Sequence, residues 1–207
     1  MDPTARDYDA LAAEYARHVA GELAHKPMDR AWLQGFARGM AGRGLVADLG
    51  CGPGHFAAFL AAEGAETLGL DISPAMVALA RAAHPTLAWE VGDLRALGQR
   101  PGRFAGAVAM YSLIHLEEAE LPAALRACHR ALIPGGVFRA AVHLGEGVLR
   151  PEAMWGVPVR LGFRLFAEGA LDDALRAAGF TVTESLVREP YPEVEYPSRR
   201  AYVTARA

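Results

Sequence analysis

Asp48, Asp71 and Asp93 each close a short apolar run, and Gly50, Gly52 and Gly54 follow the first of them in "VADLGCGPGHFAAFL" (46–60). Carboxylates at the ends of successive runs are ready acceptors for hydroxyl, ammonium or amino groups. Glycines at alternate positions allow a tight turn and a close approach of ligand to backbone. Such a set suits a nucleotide-like ligand held through its sugar and its polar ends. Other residues could meet the reacting atoms. His115 in "YSLIHL", with Tyr111 ahead of it, and His143 at the end of a later apolar run are candidate general bases. A histidine at a strand end is more often a satisfied structural residue, so catalysis by positioning alone stays open. Tyr8 and Tyr15 share one face of an N-terminal helical pattern and are candidates for a lid. Trp155, Phe163 and Phe166 could line an aromatic acceptor pocket or merely fill a patch under a loop.

The glycine spacing discriminates among ligands. A Walker-type phosphate loop needs GxxxxGK[ST], and Lys26 is the only lysine in the chain, far from this turn. The dinucleotide pattern GxGxxG/A finds His55 in its third place, where a small residue normally lets the helix pack beneath a pyrophosphate. The glycines run as GxGxG instead, which favours a ligand without a pyrophosphate. S-adenosylmethionine fits: Asp48 could serve its ammonium group, Asp71 its ribose hydroxyls, and Asp93 its adenine amino group.

These residues need a frame, and the chain supplies a regular one. Tyr8, Leu11, Ala12, Tyr15, Val19 and Leu23 form an apolar stripe, and Pro27 opens a second helical stretch that ends at "AGRG". From Leu45 the pattern becomes "LVADLG" strand, "HFAAFLAAEG" helix, "ETLGLDIS" strand and "PAMVALARAAH" helix with Ser73 as N-cap. "LAWEVGD" and "FAGAVAMYS" read as strands, "EEAELPAALRACHRALI" as a helix, and "PGGVFRAAVH" as a fifth strand. This alternation predicts a doubly wound α/β architecture with the ligand crevice along one edge. Residues 144–168 have no clean period. A helix and two alternating strands, joined by "PYPEVEYPS", complete the chain.

"VADLGCGPG", "LGLDIS", "VGDL", "FAGAVAMYSLIHL", "LIPGGVF" and the closing "AGFTVTESLVREPYPEVEYPSRRAYVTARA" together resemble the class I S-adenosylmethionine-dependent methyltransferases, small-molecule branch. The resemblance implies a Rossmann-like, mostly parallel seven-stranded sheet with an antiparallel C-terminal strand and an N-terminal helical lid. It implies one domain over 1–207: a cap (1–43), a cofactor-binding core (44–143), a substrate-side insert (144–168) and a C-terminal helix and hairpin (169–207). Cofactor contacts are then expected from Asp48, Gly50, Cys51, Gly52 and Gly54. They extend to Asp71, Ile72, Met76, Gly92, Asp93, Leu94 and Tyr111, with Tyr8 and Tyr15 from the lid. S-adenosyl-L-homocysteine would be the product, and the acceptor atom (O, N, C or S) stays open.

Composition narrows the setting. The chain has 207 residues, 52% of them hydrophobic, and a net charge of -3, which argues against a general nucleic-acid grip. Two cysteines without a CxxC pattern suggest neither disulfide nor metal site and fit a reducing, cytoplasmic compartment. No run reaches the ~18 apolar residues of a membrane span, so no membrane partner is expected. Homodimerisation is left open. A non-catalytic S-adenosylmethionine-binding protein and a nicotinamide-dependent oxidoreductase are the alternatives to a methyltransferase. His55 and the absence of a Tyr-x-x-x-Lys pair speak against the latter.

Overall fold

The computed structural model describes residues 2–99 and 101–207. Helix α1 (Pro3–Val19) begins where the Asp2 carboxylate accepts from the Thr4 N–H at 2.8 Å, with Pro3 in the first turn. A 3-10 turn (Glu22–His25) leads to α2 (Pro27–Met40), again opened by a proline. Then follow β1 (Leu45–Leu49), α3 (His55–Ala62), β2 (Glu66–Asp71), α4 (Pro74–Ala83) and β3 (Ala88–Val91). A 3-10 segment connects to β4 (Phe104–Met110), which precedes α5 (Leu121–Ala131) and β5 (Leu132–His143).

Residues 144–168 hold four two-residue strands: β6 (Val148–Leu149), β7 (Ala153–Met154), β8 (Val157–Pro158) and β9 (Phe163–Arg164). β6 pairs with β9 and β7 with β8, both antiparallel, so the segment is a nested β arm. Ladders this short leave no period in the sequence. The chain closes with α6 (Ala170–Ala177), β10 (Thr181–Arg188) and β11 (Arg200–Arg206).

The main sheet has seven strands in the order β10-β11-β5-β4-β1-β2-β3. β1 to β5 are mutually parallel, and β11 inserts antiparallel between β5 and β10, as expected from the sequence. One boundary differs from the sequence expectation. Leu132 and Ile133 continue the apolar pattern of α5 but open β5. Pro134 disfavours helical backbone at the residue before it, and Leu132 already has extended ψ.

All seven positions of β4 are buried, as a central parallel strand with helices on both faces requires. Leu125, Phe138, Leu171 and Leu175 belong to the core on the α5–α6 face; Leu33, Phe36, Phe56 and Leu60 belong to the other. Each such side chain is worth about 1.5–3 kcal/mol when fully buried. After β3 the strand order jumps back across β1 to β4. The carboxyl ends of β1 and β4 therefore flank the crevice that doubly wound sheets use for ligands.

Candidate active site

β1 runs into a loop whose backbone only glycine adopts easily: Gly50 has φ +77° and Gly52 φ +52°. A Cβ on Gly50 would lie 2.4 Å from the Cβ of Ser112, so this glycine lets the β1 and β4 ends approach across the crevice. Tyr111, immediately before Ser112, itself has φ +58°. The loop's N–H groups are spent within the protein. Gly50 and Cys51 donate to the Leu70 carbonyl at 2.7 and 3.1 Å, Gly52 to Asp71 Oδ2 at 2.8 Å, and Gly54 to the Cys51 carbonyl at 3.0 Å. Asp71 Oδ1 accepts from the Ser73 N–H at 2.8 Å, and burial raises the pKa of its carboxyl.

A cleft of about 750 Å³, partly open to solvent, extends along these strand ends. Of the residues singled out from sequence, Tyr8, Tyr15, Gly50, Gly52, Asp71, Ile72, Met76, Gly92, Asp93, Leu94, Tyr111 and His115 line it. Asp48, Cys51, Gly54 and His143 are not in its wall.

Asp48 lies behind the loop, 1% exposed. Its Oδ2 accepts from the Ala57 N–H at 3.0 Å, its Oδ1 is buried without a partner, and burial pushes its pKa up to about 7. Cys51 packs with Ala57, Val77, Ala80 and Trp89 as a small filler. Gly54 is required by packing: with φ +93° it opens α3, and a Cβ there would stand 2.4 Å from the Trp89 ring. His143 stacks on the far face of Tyr111, with ring centroids 4.9 Å apart, and its Nδ1 meets Ser198 Oγ at 2.8 Å. Burial and the nearby Arg200 lower its pKa to about 4.

The two candidate lid tyrosines do come together, with rings 5.7 Å apart and nearly perpendicular. α1 is fastened over α4 by Asp9, whose Oδ1 accepts from Ser73 Oγ at 2.6 Å and from the Ala75 N–H at 3.0 Å. Tyr8 also settles the state of His115. The Gly162 carbonyl can only accept, so His115 Nδ1, 3.0 Å away, carries the proton. Nε2 is then an acceptor, filled by the Tyr8 hydroxyl at 2.8 Å. Burial holds the His115 pKa near about 4, so the ring is neutral at pH 7. No free histidine nitrogen of His115 is left to face an acceptor.

Ser112 and Arg95 gave no signal in the sequence, and Asp93 and His55 have partners that it did not show. Ser112 lines the cleft with its Oγ buried and unpartnered. Arg95 chelates Asp93 through Nε (2.8 Å to Oδ2) and also binds Asp2 at 2.6 Å and Glu120 at 2.8 Å. Asp93 is thus shared with an arginine and with the start of the lid helix. His55, the residue that breaks the dinucleotide pattern, ties α3 to the cap through Glu22 at 2.6 Å.

The residues present fit S-adenosylmethionine. Asp71, in the cleft wall, keeps a lone pair on each oxygen for hydroxyl donors, while Asp48, buried behind the loop with one unpartnered oxygen, places a carboxyl beneath the site that suits a positively charged ligand. Among the described residues no group of His, Cys, Asp and Glu could hold a metal ion.

Residues 46–136 match the family described as a methyltransferase domain. The chain is 35% identical over 156 residues to a trans-aconitate 2-methyltransferase from Methylobacterium nodulans, covering 73% of this chain and 53% of that protein. It thus spans about half the length of the curated relatives it matches. It is similar to an S-adenosylmethionine-dependent methyltransferase structure from Mesorhizobium loti (26% identity, TM-score 0.62, 78% of this chain and 90% of that one). It shares its fold with a 1,6-didemethyltoxoflavin-N1-methyltransferase from Burkholderia thailandensis (23% identity, TM-score 0.65, 94% and 89% covered).

Proposed function

We propose that the chain is a class I S-adenosylmethionine-dependent methyltransferase that transfers the methyl group to a small-molecule nucleophile. The observation that carries this is the state of the glycine loop. Its N–H groups are already taken by Leu70, Asp71 and Cys51, and two aspartates stand at its base. A pyrophosphate needs such N–H groups free and is repelled by carboxylates. A neutral ribose and an ammonium group suit the same arrangement.

When bound, S-adenosylmethionine supplies a methyl group already activated on a positive sulfur. The work left to the protein is placement. Asp71 would orient hydroxyl donors at the β2 end, Asp48 would favour the cofactor's positive charge from behind the loop, and Ile72 and Met76 would give apolar contact. Tyr8 and Tyr15 exclude water from above, which strengthens these polar contacts and orients the acceptor. No dedicated base faces the cleft directly. A proton from a hydroxyl acceptor could pass to the Tyr8 oxygen as the Tyr8 proton moves to His115 Nε2, but a pKa of about 4 makes His115 a weak terminus for this relay. An acidic or already nucleophilic acceptor would need neither. Cys51 and Cys128, free and buried, suit a reducing cytoplasmic setting. The test is label transfer from methyl-tritiated S-adenosylmethionine to a panel of small hydroxyl, carboxyl, amine and thiol acceptors. Transfer to at least one, lost in Asp71→Ala, is expected; transfer only to RNA or protein would overturn the proposal.

A further inference from the structure

A second hollow opens beside the cleft and shares Asp2, Thr4, Arg95, His115 and Leu116 with it. Its outer wall is the nested β arm, which contributes Arg150, Arg160 and Arg164. The near wall carries Asp2, Glu117 and Glu120. Asp2 and Glu120 are already spent on Arg95.

The three arm arginines lack equivalent partners. Among the described residues, the side chains of Arg150 and Arg160 make no ion pair. Among the described residues Arg164 reaches one carboxylate, Glu118, at 3.9 Å, and that side chain is 92% exposed. Arginines that hold this structure together look different: Arg188 grips Glu195 at 2.6 and 2.8 Å, and Arg103 meets Glu90 at 2.7 Å. With 24 acidic against 21 basic residues, acids to pair them are not scarce. Three arginines lining one wall of a groove raise its positive potential and favour an anionic group there.

The groove also touches the chemistry. Gly162 lies against Arg150, whose Nη1 would be 3.0 Å from a Cβ there. The Gly162 carbonyl is what holds His115 at the cleft wall. We propose that the methyl acceptor carries a carboxylate or phosphate group, that Arg150, Arg160 and Arg164 grip this group, and that the reactive atom reaches past His115 into the cleft. This rests on the methyltransferase function proposed above and adds the chemical class of its acceptor.

The test uses the full chain and two anions, citrate and pyrophosphate, with the demethylated cofactor in place of the methyl donor so that no transfer can occur. Each is titrated calorimetrically in the presence of S-adenosylhomocysteine, and S-adenosylhomocysteine is titrated alone. At least one anion should bind, with an affinity that drops as salt rises. Arg150→Gln and Arg160→Gln, both at exposed positions, should each weaken it about tenfold or more and leave S-adenosylhomocysteine affinity unchanged. Arg164→Gln should do the same; it packs over Phe166, so the two exposed variants keep the test independent of its folding. Citrate alone binding assigns a carboxylate, pyrophosphate alone a phosphate. Anion binding that is absent, unchanged in the exposed variants, matched by sulfate, or outcompeted by an oligonucleotide would overturn the proposal. Loss of S-adenosylhomocysteine binding in the wild type would instead strike the function on which it rests.

Discussion

Replacing Asp48 with asparagine should stabilise the ligand-free protein at alkaline pH while weakening its hold on the cofactor. The carboxylate is 1% exposed, one oxygen holds the Ala57 N–H, and the other has no partner. Burial pushes its pKa from 3.8 to about 7. Because the folded value lies above the unfolded one, the folded state keeps a proton that the unfolded state releases across this window. Stability therefore falls as pH rises from about 4 to about 7. At about 1.4 kcal/mol per pH unit, ionised Asp48 costs the fold about 4 kcal/mol by pH 8. Asparagine keeps the acceptor for Ala57 and carries no charge. Urea unfolding at pH 8 should show Asp48→Asn more stable than wild type by about 3–4 kcal/mol, narrowing to under about 1 kcal/mol at pH 4. S-adenosylhomocysteine should bind the variant more weakly at pH 8, since the negative charge behind the loop that attracts its ammonium group is lost. Parallel pH curves for the two proteins, with no gain at pH 8, would refute the reasoning.

Gly50→Ala should abolish measurable S-adenosylhomocysteine binding, because its Cβ would sit 2.4 Å from that of Ser112. Adding Ser112→Gly should restore part of it, the φ of +77° remaining strained. Tyr8→Phe removes the donor to a buried His115 nitrogen and should cost about 1–3 kcal/mol of stability in urea unfolding. Asp71→Ala should weaken S-adenosylhomocysteine binding by about 1–3 kcal/mol in calorimetry through its lost hydrogen bonds. His115 and His143, held near about 4, act with the opposite sign to Asp48: the unfolded chain takes up their protons first on acidification. Stability is then lost as pH falls from about 6.5 to about 4, and the Asp48→Asn background should show this slope uncovered in unfolding measured over that range.

The strands and helices of the core were legible because a parallel sheet leaves short apolar runs and helices leave a 3.6-residue stripe. The positions of the glycine loop and of Asp71 at the crevice were legible for a related reason: backbone conformation and strand-end position are both set locally. Residues whose placement depends on distant partners were not. Asp93 reads as a free carboxylate at a strand end, yet Arg95 and Asp2 share it. His143 ends β5 as expected, but it stacks on Tyr111, which lines the cleft while His143 does not. Ser112 matters only because Gly50, far away in sequence, comes against it. The nested arm escaped notice since its strands are two residues long, and with it went the convergence of Arg150, Arg160 and Arg164.

The central claim, that the glycine loop holds an adenosyl-sulfonium and not a dinucleotide, is tested most directly by calorimetric titration of the full chain with S-adenosylmethionine and, separately, with NAD. Saturable binding of S-adenosylmethionine with no heat from NAD is the predicted result. Saturable binding of NAD without binding of S-adenosylmethionine would contradict it.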